Sequence, residues 1–416
     1  MLAHEGLQAR QDFQRARAWI VHGLPPVSGR LRGRRKREPV EEPMSENKAQ
    51  AASARMALHA ATLADAPWLD AEAPPPAAWR GFARSGLFGV GLDEADGGSG
   101  GGYRAIAAAA EALARGTGSL GLALSWLGQV NACRFALARL GSAAQKRHWL
   151  PRALAGEGTL AIAISEPDAG AHPKLLKATA RREPGGWRLD AEKAWTTNGP
   201  LADLFIVLAA TAESAGRKRY SLFLVPRTTS GVSLVATPPL GYLTPSPHCG
   251  VRLRQVLLPD DALLGPEGAG YEALALPLRD QEDALMAATL AGGLLAERDA
   301  LAGRLPAGED AAMAELGRHA GLAAALSALA ARLAGLLDET AGDSAELAPL
   351  ADAARQIAAQ AQPALRQLIA AKAIACPVLD RLTRDIEKSR DIAARAREAK
   401  RARLGRFLVA ATGREA

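Results

Sequence analysis

The sequence predicts an α+β multidomain protein with an N-terminal helical domain, a central β-barrel and a C-terminal four-helix bundle. Apolar residues recur at helical spacing in the first part of the chain and again after Gly270. Between these parts, short alternating or apolar runs are separated by Gly, Pro and Asn, which is typical of strands. We therefore expect domains at 44–158, 159–266 and 267–416, with a separate segment at 1–43.

The first 43 residues differ in composition from the rest of the 416-residue chain. They hold nine Lys and Arg against five Asp and Glu, and thus +4 of the total net charge of +7. We expect a disordered extension. The alternatives are a mis-called start codon, with Met44 as the true start, and a basic tail that contacts a partner. Because the other residues carry little net charge and aromatics make up only 4% of the chain, we expect no nucleic-acid binding.

The overall composition, 48% hydrophobic and 23% charged, is that of a globular protein. No run of about 18 apolar residues is present, and the N-terminus lacks an apolar core, so we expect no membrane span and no signal peptide. The cysteines, Cys133, Cys249 and Cys376, are far apart and form no C-x-x-C pair. We therefore predict no disulfide framework and no metal site, and a cytoplasmic location.

Helical periodicity and caps define the N-terminal domain. Ser45 and Ser142 are suited to cap its first and last helices. A glycine-rich loop occupies 86–102. The predicted helices cover 47–62, 77–87, 103–115, 120–140 and 143–154.

The central segment contains six short strand-like runs separated by turn residues such as Asn198-Gly199-Pro200. This pattern favours a barrel or a sandwich. The predicted strands cover 159–165, 187–190, 205–209, 220–225, 232–235 and 251–258.

Four long helices with short connections are predicted after Gly270, which favours a bundle. The region is rich in alanine, the residue with the highest helix propensity. Glycine and proline residues separate the predicted helices, which cover 272–302, 308–338, 344–373 and 379–409.

Two polar clusters in the central segment are candidates for a site. The first, Ser165–His172, directly follows a predicted strand. It is either a ligand-contacting loop or a tight turn, since Pro, Asp and Gly are turn residues. In the second, Lys193–Gly199, Trp195 offers a flat surface and Thr197 offers a hydroxyl on the same strand face. Such a pair can stack on and hydrogen-bond a planar cofactor; the alternative is a buried Trp before an Asn-Gly turn.

In this order, the two clusters resemble the middle domain of the acyl-CoA dehydrogenase family. That family has a T-E-P-x-A-G-S-D segment followed by G-x-K-x-W-I-T-N. The approach to the domain at 140–151 and its exit at 264–271 also resemble the family pattern. Together the matches extend over residues 75–275. The family fold, a helical domain, a β-barrel and a four-helix bundle, agrees with the fold predicted above.

The resemblance implies that the chain binds FAD between the barrel and the bundle and dehydrogenates an acyl thioester between its α and β carbons. Ile164 and Ser165 would lie against the flavin ring, and Trp195 and Thr197 would cover its other edge and reach the N5 region. The substrate would be an acyl-CoA or an acyl-carrier thioester. An electron-transfer partner and a homo-oligomer are implied as well.

The sequence departs from the family at the segment that holds the substrate. The family has Ser-Asp after the turn, and that Ser helps to hold the thioester arm. Here the two positions are Ala171 and His172, which we assign to substrate binding by position. A loop histidine that faces the solvent is the alternative for His172.

The general base also departs from the family pattern. The Glu-Gly-Thr segment of the last helix, which supplies this base, is replaced by residues 393–395. Some branches of the family place the Glu on the first bundle helix instead. Ungapped counting from Tyr271 puts Gln281 at this position, and a shift of one residue puts Glu282 there. We predict Glu282 as the base; the alternative is an acidic patch favoured by the helix dipole.

Two further family features are missing from the C-terminal domain. The Phe-Gly of the R-x-x-F-G segment that binds a neighbouring subunit's FAD is absent at 297–305, and no Q-x-x-G-G occurs near 356–374. These losses leave two alternatives to a dehydrogenase. One is a flavin-dependent monooxygenase of the same fold, which needs no α-proton base. The other is a non-catalytic scaffold subunit.

Overall fold

The computed structural model of the chain describes residues 44–214, 216–306, 308–340, 344–389, 392 and 394–411. The predicted extension, 1–43, lies outside the described residues. Within them, an N-terminal group of helices is followed by a sheet and then by further helices. The predicted α+β fold class with this order of parts is confirmed.

Five α-helices form the N-terminal part. The predicted cap of the last one is confirmed: the Ser142 hydroxyl accepts from the Gln145 amide at 3.2 Å, and the Gln145 side chain accepts from the Ser142 amide at 2.9 Å. The predicted helix 120–140 is continuous, but Ala132–Ala138 is a π-helical segment. The helices are α1 Met44–Ala61, α2 Pro76–Arg84, α3 Gly102–Thr117, α4 Leu120–Asn131 and α5 Ala143–Leu154.

Eight strands form one sheet in the order β6-β7-β3-β2-β4-β5-β8, with β1 parallel to β4. Within the described residues the predicted barrel is not closed, because the two outer strands, β6 and β8, do not pair with each other. Both are short, with four and two residues, and offer few backbone groups for closure. The strands are β1 Leu160–Ala163, β2 Thr179–Glu183, β3 Gly186–Thr197, β4 Leu204–Ser214, β5 Arg217–Pro226, β6 Val232–Val235, β7 His248–Pro259 and β8 Leu263–Leu264.

The C-terminal part contains five described helices instead of the four that were predicted. The predicted helix 379–409 is wrong, because two helices cover this stretch. The first of them ends at Ser389, whose hydroxyl donates to the Ile386 carbonyl at 2.8 Å and satisfies an acceptor at the helix end. The helices are α6 Leu276–Ala302, α7 Asp310–Thr340, α8 Leu347–Ala371, α9 Pro377–Ser389 and α10 Ala394–Ala411.

Among the described residues, helix α7 alone is long and apolar enough to cross a membrane by length and composition. However, 44% of its most apolar stretch of 18 residues is buried inside the protein. Helix α7 packs there against α6, α8 and α3. The core helix of a bundle passes the same test of length and composition. We therefore regard α7 as a bundle helix.

Helix α6 links the three parts of the fold. Its first turns pack with the outer face of the sheet and with the π-helical segment, through Leu278. Its middle packs with α3 and α4, through residues such as Leu285 and Leu290. A separate apolar cluster fills the other face of the sheet. The start of α6 therefore lies at the junction of the sheet and both sets of helices.

A buried polar cluster lies between α6, α7 and α8. Glu297 Oε2 is 3.3 Å from His319 Nε2 and accepts a hydrogen bond from Gln362 at 3.1 Å. All three side chains are at most 2% exposed, and each keeps one buried polar atom without a partner among the described residues. Burial raises the pKa of Glu297, because the charged carboxylate is poorly solvated there.

The raised pKa makes the Glu297 contribution to stability depend on pH. The proton-linked stabilisation is fully present below the usual pKa of 4.5 and is lost as pH rises through the higher folded-state value. Glu297→Gln has no titrating carboxyl at this position and so removes this loss. From pH 5 to pH 8, the free energy of unfolding of the variant should therefore rise relative to that of the unsubstituted protein. Urea unfolding at both pH values measures it. An unchanged difference between the two proteins would contradict the prediction.

Candidate functional site

A half-exposed tryptophan on a bulged strand marks the candidate site. Trp195 lies in β3 and is 51% exposed, although it is one of the largest apolar side chains in the chain. The pairing of β3 with β7 shifts between Lys193 and Thr196, and Trp195 has a left-handed backbone with φ of 57°. A bulge re-aims a side chain, and a non-glycine residue at positive φ stores strain typical of functional sites. Lys193 is thus buried, while Trp195, two residues on, faces outward.

The other predicted cofactor contacts, Ile164 and Ser165, directly follow β1. The Ser165 carbonyl accepts from the Ala194 amide at 2.8 Å, so this segment lies beside the strand that carries Trp195. Ile164 is 8% exposed and Ser165 is partly exposed. The structure thus brings Ile164 and Ser165 together with the second predicted cluster.

A buried ion pair, which the sequence analysis missed, joins the two segments. Lys193 Nζ is 2.9 Å from Glu166 Oε1 and donates to the Ile164 carbonyl at 3.0 Å. Both Glu166 oxygens also accept backbone amides, those of Lys177 and Ala178. Burial lowers the pKa of Lys193, and the Glu166 carboxylate opposes this shift. The available signal was an acidic residue in the first cluster and a basic residue in the second.

Thr197 has a partner that the sequence analysis also missed. It pairs across β3 and β7 with His248, and Thr197 Oγ1 lies 3.0 Å from His248 Nε2. Close by, the hydroxyls of Thr196, Thr244 and Ser246 are buried and have no hydrogen-bond partner among the described residues. Register between distant strands decides these neighbours, so local sequence gives no signal for them.

The predicted substrate residues lie in the loop after Ser165. The Ala171 carbonyl accepts from the Tyr271 hydroxyl at 3.3 Å, which ties this loop to the segment just before α6. His172 is exposed, and its Nδ1 accepts the Lys174 amide at 3.3 Å. Ala171 is therefore connected to the start of α6, whereas His172 has the surroundings of a solvent-facing loop residue.

Glu282 lies in the second turn of α6 and has an exposed side chain. Leu278, Glu282 and Leu285 lie on one face of the helix, at i, i+4 and i+7. Both leucines are buried, yet the glutamate between them is accessible. Burial among these neighbours and the Asp283 carboxylate raise the pKa of Glu282 to about 7, while Arg279 opposes the shift. The Glu282 side chain is therefore exposed, while Asp283 and Arg279 are close enough to act on the pKa of its carboxyl.

The carboxylates that flank Glu282 are already paired. Asp283 is 2.8 Å from Arg355 on α8, and Asp280 is 2.9 Å from Lys400 on α10. Within the part of the chain that the structure describes, the Glu282 carboxylate has neither an ion pair nor a hydrogen bond. Gln281, the position given by ungapped counting, is buried at 2% exposure. Of the two alternatives, Glu282 therefore has the accessible side chain.

A basic cavity of about 520 Å³ opens beside the start of α6. Its walls come from the end of β4, the start of β5 and the segment before α6. Lys218 also donates to the Leu176 carbonyl at 2.7 Å, so the cavity adjoins the loop that contains Ala171. The charged lining residues are Arg217, Lys218, Arg219 and Glu272.

In the region where the family's Phe-Gly is missing, the arginine side chains form hydrogen bonds with nearby residues. Arg298 donates to the neighbouring Asp299 at 2.6 Å, and Arg304 donates to the Ala300 carbonyl at 3.0 Å. Asp299 in turn pairs with Arg115 on α3 at 2.8 Å. In addition, no group of three or more His, Cys, Asp or Glu in the described residues is arranged to hold a metal ion.

Comparisons with known proteins agree with the motifs. The family model described as the acyl-CoA dehydrogenase N-terminal domain matches residues 44–157, and that of the middle domain matches residues 161–256. A mitochondrial isovaleryl-CoA dehydrogenase of Arabidopsis thaliana is 34% identical over 210 residues, 50% of this chain and 51% of that protein. An L-prolyl-[peptidyl-carrier protein] dehydrogenase of a Serratia species is 34% identical over 160 residues, 38% of this chain and 42% of that protein. The chain thus spans about half the length of the curated relatives it matches.

The overall architecture is similar to that of solved structures as well. The FAD complex of PigA superimposes with a TM-score of 0.73 at 23% identity and covers 85% of this chain and 94% of that chain. At this identity the likeness shows the fold alone. The sequence models, which together match half of the residues, supply the stronger evidence. The chain belongs to the acyl-CoA dehydrogenase family.

Proposed function

We propose that the protein is a FAD-dependent oxidoreductase that dehydrogenates an acyl thioester between its α and β carbons. The observation that carries this proposal is the accessible Glu282 carboxyl near the start of α6, where Leu278 of that helix packs with the sheet. The bulged strand with Trp195 and Thr197 supports the same reading. The related proteins named as isovaleryl-CoA and L-prolyl-[peptidyl-carrier protein] dehydrogenases support the reaction class.

The residues of the candidate site fit a flavin. The Trp195 side chain is 51% exposed, and Thr197, two residues further along β3, is partly exposed and has a hydroxyl. The Ser246 hydroxyl, which is buried without a partner near His248, is suited to bind the polar edge of a ring. Ile164 and Ser165 would supply the second contact segment. When bound, FAD supplies the two-electron acceptor of the reaction.

Glu282 would act as the general base that removes the α-proton. A base works best when its pKa lies near the operating pH, and the pKa of Glu282 is raised to about 7. The neighbouring Asp280 and Asp283 are held by Lys400 and Arg355 and are less available for this role. The side chain of Glu282 therefore combines access with suitable basicity.

The basic cavity would receive the anionic end of the substrate. Arg217, Lys218 and Arg219 favour phosphate groups, which both coenzyme A and a carrier's phosphopantetheine arm contain. The arm would pass the Ala171 loop, which Tyr271 ties to the segment before α6. An electron-transfer partner that reoxidises the enzyme and a homo-oligomeric state complete the proposal.

An absorbance spectrum with added FAD, repeated anaerobically with a panel of acyl-CoAs, tests the proposed function. We expect bound flavin to be bleached by at least one thioester. Bound flavin that no acyl-CoA bleaches but that oxygen reoxidises rapidly would favour a monooxygenase. A protein that binds no FAD would contradict both reactions and leave a scaffold role.

The same titration tests the role of Trp195. Trp195→Ala keeps a Cβ at the left-handed position, so backbone strain is unchanged, and it removes only a half-exposed ring. We expect FAD affinity to fall about tenfold, one step of about 1.4 kcal/mol, with little change in unfolding of the FAD-free protein. Trp68→Ala, in the N-terminal part, is the control. Equal affinities for FAD in both variants would contradict the assignment.

A further inference from the structure

The hydrogen bonds of His248 determine which of its ring nitrogens has the proton. Nδ1 lies 2.7 Å from the Ser246 carbonyl oxygen, which can only accept, so Nδ1 donates. Burial lowers the pKa of His248, and the imidazole is therefore neutral near pH 7. Its Nε2 then has a lone pair and no proton. At 3.0 Å, the Thr197 hydroxyl must donate to Nε2.

The backbone around His248 holds this arrangement in place. The His248 carbonyl accepts from the Thr237 hydroxyl at 3.1 Å. The preceding Pro247 carbonyl accepts from the Asn198 amide at 2.8 Å, next to Thr197. Both partners of the hydrogen bond are thus fixed relative to one another at the ends of β3 and β7.

The consequence for Thr197 is chemical. A hydroxyl has a single proton, and here that proton is directed to His248. Only the lone pairs of Thr197 Oγ1 remain for a bound ligand, which must then offer a donor. An isoalloxazine ring has more N–H groups when it is reduced than when it is oxidised. Thr197 is accordingly a better partner for reduced than for oxidised flavin.

We propose that His248 is a positioning residue that fixes the Thr197 hydroxyl as a hydrogen-bond acceptor and thereby raises the reduction potential of the bound flavin. This inference rests on the proposed function, because it requires flavin beside Thr197. His248 acts through the orientation of one proton and needs no contact with the flavin or the substrate.

The midpoint potential of the FAD-loaded protein tests this proposal. In His248→Phe the hydroxyl proton is released and can donate to oxidised flavin, so we expect the potential to fall. A tenfold shift toward the oxidised form corresponds to about 30 mV for a two-electron couple. Thr197→Val should lower the potential as well, whereas Thr197→Ser, which keeps the hydroxyl, should preserve it.

The double variant separates this role from a general effect on the fold. If His248 acts through Thr197, His248→Phe should cause no further fall in a Thr197→Val background. The inference would be overturned if His248→Phe lowered the potential equally with Thr197 and with Val at position 197. It would also be overturned if neither His248→Phe nor Thr197→Val changed the potential. In both cases, binding of FAD would still support the proposed function. Failure of the unsubstituted protein to bind FAD would overturn both. Urea unfolding of each variant reports whether the fold is retained.

Discussion

Glu282→Gln is expected to slow the reduction of bound flavin by an acyl thioester by about 10²–10⁴-fold, the usual contribution of a positioned acid–base group. Glutamine keeps the size and hydrogen-bonding capacity of the side chain but cannot accept the α-proton. FAD affinity should be unchanged, since the carboxyl lies on α6 and the proposed flavin contacts lie on and beside β1 and β3. Anaerobic stopped-flow absorbance at saturating substrate measures the rate.

The pH dependence of this rate gives a second, independent readout. Only the carboxylate form of Glu282 is a base, so the rate should rise with pH and level off above about 7. Asp283 raises the pKa of Glu282 and Arg279 lowers it. Asp283→Asn should therefore move the rise to lower pH, and Arg279→Gln should move it to higher pH. Two opposite shifts cannot arise from a general loss of structure.

A carboxylate far from the junction provides the control. Glu72→Gln removes an exposed carboxylate in the N-terminal part and should leave both the rate and the pH profile unchanged. Normal bleaching of flavin by Glu282→Gln would eliminate Glu282 as the base. Loss of bleaching in both variants would point to an effect other than proton transfer.

The sequence alone was sufficient for the order of the three parts and for the segments that meet at the site. Periodicity and turn residues are local properties, and so is the cap at Ser142, which the structure confirms. The Trp195 and Ser165 clusters were also found locally, and the structure places their segments side by side. Contacts that depend on strand register, such as Thr197 with His248, could not be found in this way.

The position of Glu282 shows why counting along the sequence was ambiguous. A π-helical turn, Tyr271–Ala275, precedes α6 and contains more residues per turn than an α-helix. Counting from Tyr271 without a gap assumes that no residue is inserted relative to the family pattern, and it selects Gln281, which is buried. One residue further on, Glu282 is accessible. The face of α6 on which each residue lies thus separates the two candidates, which counting along the sequence cannot do.

Strand closure and the end of the bundle were beyond prediction for a related reason. Whether a sheet closes depends on the length and pairing of its outer strands, and β8 has only two residues. The periodicity of 379–409 is helical almost throughout, so it does not reveal that α9 ends at Ser389. Strand closure depends on contacts between distant residues, and the end of α9 is also contacted from a distance, since Arg355 on α8 donates to the Ser389 carbonyl at 3.4 Å.

Lys193→Met is expected to destabilise the protein by about 3–5 kcal/mol, because it leaves the Glu166 carboxylate buried without its cation. The two side chains are 0% and 5% exposed, so water cannot replace the lost partner. The substitution also frees the Ile164 carbonyl, to which Lys193 donates. Since Ile164 is a proposed flavin contact, we expect weaker FAD binding in the fraction that remains folded. Urea unfolding of the FAD-free protein and FAD titration measure the two effects.

A surface lysine provides the matched control for Lys193. Lys146→Met breaks the Lys146–Asp96 pair of 2.8 Å, whose side chains are 30% and 18% exposed, and should cost at most about 1 kcal/mol. Adding Glu166→Gln to Lys193→Met removes the unpaired charge, so the double variant should be more stable than the sum of the single losses, by about 0.5–3 kcal/mol. Additive losses, or equal losses in Lys193→Met and Lys146→Met, would show that the buried pair does not join the two segments. The double variant could also recover stability without recovering FAD affinity. That result would attribute the weaker FAD binding to the freed Ile164 carbonyl. Among the described residues, only Lys193 donates a side-chain hydrogen bond to this carbonyl.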